Sequence, residues 1–318
     1  MPAALAQDAP LFIVLNQASG SGDPDRVEAS IRRSLEGRGR EHEILRVDDP
    51  AQLPTLARRA VAQAQERDGA VVVVGGDGTI NAVTQAVLPS GVLFGVLPQG
   101  TFNFFGRCHG LPEGEAGQGM LALLDASEQP VQVGTVNGRA FLVNASLGLY
   151  PELLEQREEA KQRFGRHRLV ALGAGLRTLL KRFPRLHLLM RGDAPASALD
   201  AMTLVVGNNR LQLEKIGIEQ ATAVERGRLA GIAVRPVGRL ALVVMAMRGL
   251  LGHLGEQPRV ESFAFTELEV TLRRRRKIKV ALDGEIDTFA LPLRFAIAPQ
   301  PLRLLVPRGA EPEPEHAA

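Results

Sequence analysis

Residues 70–88 read AVVVVGGDGTINAVTQAVL, and this stretch restricts the fold more than any other in the chain. A short apolar run rich in valine breaks into Gly75, Gly76, Asp77, Gly78 and Thr79, and a helix-like pattern follows. Such a run suits a strand buried on both faces, and a glycine loop opening a helix suits a crossover connection. The same alternation surrounds it. LFIVLN over 11–16 reads as a strand, QASGSGD as a turn-rich loop, and Val27, Ile31 and Leu35 are spaced as on a helix. EILRV is a second strand, Leu53 to Gln65 an Ala-rich helix and VLFGVLP a fourth strand, with Leu121 to Leu124 in one more helix. The expectation is a parallel sheet covered on both faces.

After about Pro130 the texture changes. VQVGTVNGRAFLVNASLGLY reads as a hairpin turning at Asn137-Gly138. RLHLLMR, MTLVVGN, RLAGIAVRP, FTELEVTLR and KIKVALDGE are further strand-like segments, interrupted by helical stretches at 151–183 and 237–252. This is the pattern of a largely antiparallel β domain with helical insertions. Two short strands in LPLRFAIAPQPLRLLVP precede the polar tail GAEPEPEHAA. A length of 318 residues is consistent with two domains.

Composition narrows the function classes. A formal net charge of +3 does not single out nucleic acid, and one tyrosine with no tryptophan provides few stacking platforms, so no nucleic-acid partner is expected. The single cysteine, Cys108, excludes a disulfide framework and reads as a small buried hydrophobe. MPAALAQDAP lacks the pattern of a signal peptide, and the most apolar run, Leu240 to Met247, is far below the roughly 20 residues needed to span a bilayer. A cytoplasmic protein that can visit a membrane surface is the expectation.

Three loops follow strands of the first domain: Asn16 to Gly22, Gly75 to Thr79, and Gly100 to Asn103. In open α/β sheets ligands sit beyond the carboxyl ends of the strands, so these loops can share one crevice. Gly75, Gly76 and Gly78 would let backbone N–H groups approach an anion, the helix start would favour its charge, and Thr79 could cap the helix or reach a phosphate. The plainer alternative is a tight turn with Asp77 or Thr79 as an ordinary cap. No P-loop, G-x-G-x-x-G or kinase HRD and DFG set is present. A phosphate site without its own lysine needs a metal ion, and Asp77 can hold Mg²⁺ or accept a proton from an attacking hydroxyl.

NQASGSG, GGDGTINAV, GTFNFFGR and Asp283-Gly284-Glu285 occur in this order. Together they resemble the diacylglycerol kinase catalytic-domain family, which includes bacterial lipid kinases and sphingosine kinases, over about Leu11 to Pro307. VNGRAFLVNASLGLYPELLEQRE also looks like a stretch of bacterial members. The resemblance implies a doubly wound α/β nucleotide-binding domain over 1–130 plus 290–318, and a β-sandwich substrate domain over 131–289. It implies an ATP- and Mg²⁺-dependent kinase acting on a diacylglycerol-like or other lipid alcohol. ATP would be touched by Asn16, Ser19 and Gly20, by Gly75, Gly76, Asp77, Gly78, Thr79, Ile80 and Asn81, and by Gly100, Thr101 and Asn103. Asp48 falls where relatives often place a threonine near the nucleotide. Glu285 matches the family's general base, with Asp77 as its catalytic partner and Asp77 and Asp283 as magnesium ligands. The alternatives are an NAD kinase-like enzyme, which shares the GGDG loop, and a non-catalytic lipid- or nucleotide-binding protein of the same fold.

Two departures stand out. Phe104 replaces the acidic residue that many relatives carry in GTxNDFA, making the wall more apolar. Arg226, in Val224 to Leu229, stands where several bacterial relatives hold a structural magnesium with an Asp-Gly turn, implying that a guanidinium supplies that charge. Two segments are candidates for transient membrane contact: the basic amphipathic pattern of 166–183, which can equally cover the sandwich, and RRRRK over 273–277, read as a solvated edge strand. Oligomeric state is open, a homodimer included.

Overall fold

The computed structural model of the chain describes residues 5–16, 23–152, 154, 185–193, 197–273 and 275–310. Two compact units divide it, one of residues 1–133 and 298–318, the other of 134–297. Ser19, Gly20, nearly all of the predicted helix over 151–183 and residues 311–318 of the polar tail lie outside the described residues.

In the first unit the strands are β1 (Leu11–Asn16), β2 (His42–Val47), β3 (Ala70–Gly75), β4 (Leu93–Pro98) and β5 (Ser127–Val131), joined by β18 (Leu302–Val306). They form one sheet in the order β2-β1-β3-β4-β18-β5, parallel except for the β18–β5 pair. The helices are α1 (Pro24–Glu36), α2 (Leu53–Glu66), α3 (Asp77–Val87), α4 (Phe104–Cys108) and α5 (Ala116–Leu124). Side chains alternate across the sheet. Leu11, Ile13, Leu15, Val72 and Val74 pack with Ile31 and Leu35 of α1 and Met120 and Leu123 of α5. The intervening Phe12, Val14, Val71 and Val73 are also buried, on the face where α2 and α3 lie. Burial of each such valine stabilises by about 1.5–3 kcal/mol, which explains the uninterrupted valine run.

The second unit holds two six-stranded antiparallel sheets. One contains β6 (Gly134–Val136), β7 (Arg139–Phe141), β9 (Leu186–Gly192), β10 (Ser197–Ala201), β14 (Glu267–Leu272) and β17 (Leu293–Ile297) in the order β10-β9-β14-β17-β6-β7. The other contains β8 (Asn144–Gly148), β11 (Thr203–Gly207), β12 (Leu229–Val234), β13 (Val260–Phe265), β15 (Lys277–Leu282) and β16 (Glu285–Ala290) in the order β13-β12-β11-β8-β15-β16. Phe141, Leu188, Val270 and Phe295 of the first sheet share one buried cluster with Leu147, Leu204, Val206 and Val280 of the second. This is a β-sandwich. Helices α6 (Arg210–Lys215) and α7 (Ala221–Glu225) cover part of the second sheet's outer face, where Leu213 and Ala221 meet Ala230 and Ile232. Helix α8 spans Arg239–Leu250.

The hairpin at Asn137-Gly138 forms as its sequence demands, with φ of 48° and 80° at the two turn residues. β17 stays with the sandwich because it pairs with β14 and β6, so the second unit runs to Ile297 rather than to residue 289. The arginine run is a correction. Arg273, Arg275 and Arg276 are exposed in a turn between β14 and β15, and β15 lies inside its sheet between β8 and β16. A chain passing from one sheet to the other must break its ladder there, so no edge strand forms.

Candidate functional site

Parallel pairing brings Leu15 beside Val74 and Gly75 beside Pro98, so β1, β3 and β4 end at a common edge. Asn16 closes β1, and its side-chain amide donates to the Thr79 hydroxyl at 2.7 Å. Gly76 is the residue before α3, in extended conformation, and no side chain caps this helix. The first intrahelical bond runs from Ile80 N–H to the Gly76 carbonyl at 3.0 Å. The amides of Asp77, Gly78 and Thr79 therefore precede the helical ladder, as in anion-binding helix starts.

The glycines have specific neighbours. A Cβ on Gly75 would lie 2.8 Å from the Thr79 Cβ, so this glycine makes room for its own helix. Gly100 faces Gly76: a Cβ on Gly100 would lie 2.9 Å from the Gly76 Cα and 2.8 Å from Asn103 Oδ1. The space for a side chain on Gly100 is already filled by the Gly76 backbone, so the two glycine loops lie close against each other. Gln99 N–H donates to the Gly75 carbonyl at 2.9 Å and strengthens the junction.

Asp77 links the same two loops. Its Oδ1 accepts the Phe105 amide at 3.5 Å, and the amides of Phe104 and Asn103 also hydrogen-bond to it. The residue opening α3 thus caps the short α4. Burial pushes its carboxyl above the usual range; the three amides pull it back, and the Glu113 carboxylate adds to the rise. Asn103 adopts φ 47°, and its Oδ1 accepts the Gly100 amide at 2.8 Å. It shapes the loop and leaves Thr101 and Phe102 exposed, the Phe102 ring stacked 5.7 Å from that of Phe104. Beside α4, burial pushes His109 down to about 4, and its ring edges that of Phe105 at 4.8 Å, so it is a neutral packing residue near pH 7.

Not every expected residue reaches this edge with its side chain. Ile80 is fully buried and its amide is spent on Gly76, so it faces the core. Asn81, also buried, accepts from Gln85 Nε2 at 2.8 Å. Asp48 is exposed just after β2.

In the second unit, Asp283-Gly284 forms the two-residue turn between β15 and β16, with φ of 47° and 95°. Asp283 Oδ2 accepts the Leu142 amide at 2.7 Å, and Oδ1 accepts those of Val143 and Asn144, each at 2.9 Å. Its own amide donates to the Asn144 carbonyl at 2.9 Å. A carboxylate so occupied anchors the turn. Glu285 begins β16, exposed.

Sequence reasoning overlooked the polar support around this turn. Asn208 donates its amide N–H to the Val143 carbonyl at 2.8 Å and Nδ2 to the Leu142 carbonyl at 3.1 Å. Asn209 Oδ1 caps α6 through the Gln212 amide at 2.9 Å, and Gln212 Oε1 accepts from Asn144 Nδ2 at 2.8 Å. The signal was the Asn-Asn pair directly after an apolar strand. At the Arg226 turn, the Ala223 carbonyl accepts the Arg226 and Arg228 amides at 3.1 Å each, Gly227 has φ 72°, and the Arg226 side chain is exposed.

Among the described residues no three His, Cys, Asp or Glu side chains converge. A divalent cation at the glycine-loop edge would rest on one carboxylate, Asp77, with phosphate oxygens and water completing its shell. This donor set fits magnesium, which keeps several waters and takes one or two carboxylates.

Comparison with known proteins places these features in a family. The family described as "Diacylglycerol kinase catalytic domain" matches residues 10–136. A Pseudomonas aeruginosa protein named "Probable lipid kinase YegS-like" is 31% identical over 264 residues, 80% of this chain and 82% of that one. The diacylglycerol kinase of Bacillus subtilis is 34% identical over 85 residues, 26% of this chain and 28% of that one. The crystal structure of a Bacillus anthracis diacylglycerol kinase shares the fold, with TM-score 0.68 and 16% identity over 96% of this chain and all of that one.

Proposed function

We propose that this chain, which belongs to the diacylglycerol kinase catalytic-domain family, transfers the γ-phosphoryl group of ATP to the hydroxyl of a lipid alcohol. The observation that carries the reading is the interlock of the Gly75–Thr79 and Gln99–Phe105 loops at the carboxyl edge of a parallel sheet. Such an edge is where doubly wound folds hold nucleotides.

The amides of Asp77, Gly78 and Thr79 would receive phosphate oxygens, and the α3 dipole would favour their charge. Thr79, fixed by Asn16, keeps its hydroxyl at the helix start. Asp77 would hold magnesium, which supplies charge neutralisation on the phosphates when bound. Glu285, presented by the Asp283 turn, would accept the lipid hydroxyl proton. As that oxygen bonds to the γ-phosphorus, the bond from phosphorus to the bridging oxygen of ADP breaks, and ADP leaves with its electron pair. Asp283 would hold the turn, and the Ile80 and Asn81 side chains would support the loop from beneath.

The test is phosphoryl transfer from radiolabelled ATP with magnesium, supplying total lipid extract and NAD⁺ as separate acceptors. A labelled lipid is the expected product. Label in NAD⁺ alone, or in neither acceptor, would overturn the reading.

A further inference from the structure

Helix α8 carries an apolar stripe that the sandwich does not cover. Leu240, Val244, Met247 and Leu251 are 80%, 46%, 60% and 71% exposed. At about 100° per residue they share an arc of roughly 60°. Met245, on the other side, is buried and holds the helix to the unit. Val237, Leu240, Ala241, Val244, Pro258 and Arg259 line an open groove of about 320 Å³ beside the stripe. This is the segment that the sequence marks as the most apolar run. No helix among the described residues is long and apolar enough to cross a membrane, so the stripe does not belong to a spanning segment.

Charge identifies the occupant. From Val234 to Gly255 the sequence contains Arg235, Arg239, Arg248 and His253 and no acidic residue. Arg248 is exposed on the helix at the margin of the stripe, and Arg259 is exposed at the groove. The next acids along the chain have partners: Glu256 meets the His253 ring at 3.0 Å, and Glu261 pairs with Arg235. An apolar stripe flanked by arginine and free of carboxylates matches an anionic bilayer, where the stripe enters the acyl boundary and the guanidinium groups meet lipid phosphates.

We infer that α8 is a membrane-docking helix that lays Leu240, Val244, Met247 and Leu251 into an anionic lipid surface. The inference rests on the lipid-kinase reading only for why a bilayer should be approached; the docking itself is measurable without turnover. It assigns a membrane role to a segment outside the two candidates in the sequence.

The chain contains no tryptophan, so Leu251→Trp introduces a single reporter. With the full chain and vesicles of phosphatidylglycerol and phosphatidylcholine, its emission should shift to the blue, and the shift should weaken with added salt. Vesicles of phosphatidylcholine alone should produce a much smaller shift. Co-sedimentation of a Leu240→Glu/Met247→Glu variant should fall at least about tenfold, the loss expected when two apolar side chains no longer enter lipid. Both positions are exposed, and an unchanged melting temperature should show that the fold is intact. Arg248→Glu/Arg259→Glu should weaken binding to anionic vesicles and leave residual binding to neutral ones unchanged. An unshifted Leu251→Trp emission, or glutamate variants that sediment like the wild type, would overturn the inference. So would a wild-type dimer that the glutamate pair dissociates while vesicle binding persists, since the stripe would then be a self-interface. Phosphorylation of a short-chain, water-soluble diacylglycerol separates the two readings: the α8 variants should retain it, whereas a failure of the kinase reading removes it from the wild type as well.

Discussion

Asn16 and Thr79, at the ends of different elements of the first unit, are joined by a 2.7 Å hydrogen bond from the side-chain amide to the hydroxyl. The bond ties the end of β1 to the first turn of α3, so the strand edge and the helix start move as one body. Thr79→Val keeps the volume and removes the acceptor. Its expected cost is about 1 kcal/mol of stability, the usual net worth of one such bond. The Michaelis constant for ATP should rise with it; denaturant titration and ATP-dependence curves check the two effects separately.

Gly100→Ala tests the loop interlock. The added methyl would sit 2.9 Å from the Gly76 Cα, which is backbone and cannot swing away. The two loops must part, and ATP affinity should fall by about tenfold or more, with a destabilisation of about 1–3 kcal/mol typical of overpacking. ATP binding measured by calorimetry at wild-type strength would show that the loops do not act together.

The pH dependence of Asp77 follows from its burial. Its folded pKa is raised, so its contribution to stability is complete below the unfolded-state pKa and is lost as pH rises through the folded pKa. Ionising it in the native state means holding a partly desolvated charge. Asp77→Asn should melt at or above the wild-type temperature at pH 7, and this advantage should vanish in acid. Magnesium-dependent turnover should nevertheless drop by at least about tenfold if the carboxylate serves the metal. Melting curves across pH, paired with magnesium titrations of rate, check both signs.

Glu285→Gln removes a proton acceptor at an exposed position, so folding should be untouched. Turnover should fall about 10²–10⁴-fold, the usual share of a general base, while ATP affinity stays near wild type. Single-turnover kinetics with ATP and lipid make the measurement, and wild-type turnover would assign the base elsewhere.

Asp283→Ala should behave differently from Glu285→Gln. It deprives the Leu142, Val143 and Asn144 amides of their shared acceptor, and losing buried partners costs about 1–3 kcal/mol. A lower melting temperature together with reduced turnover and intact ATP binding is expected. Loss of turnover with an unchanged melting temperature would instead point to a direct metal role.

Much of the architecture was legible because it rests on local patterns. Ala70–Val74 had to be buried on both faces, and Asn137-Gly138 had to turn a hairpin; each follows from side-chain size, period or allowed φ. The four glycine- and acid-bearing motifs likewise exposed the family. The reasons for individual residues were less accessible. A side chain on Gly75 would collide with Thr79, and Asp283 accepts three amides 139–141 residues away in sequence, contacts that no local pattern names. Arg273, Arg275 and Arg276 looked like strand and lie in a turn between sheets.

The sequence alone thus determined the alternating strands and helices of the first half, most strands of the antiparallel second half, and the residues with chemistry to offer. These are consequences of near-neighbour physics: periodicity, backbone preference and charge. Tertiary structure decided which backbone groups each carboxylate satisfies, which glycines face each other, and that the apolar run of α8 keeps one side on the surface. Those outcomes depend on long-range pairing, in which a residue's role is set by partners that no local pattern names.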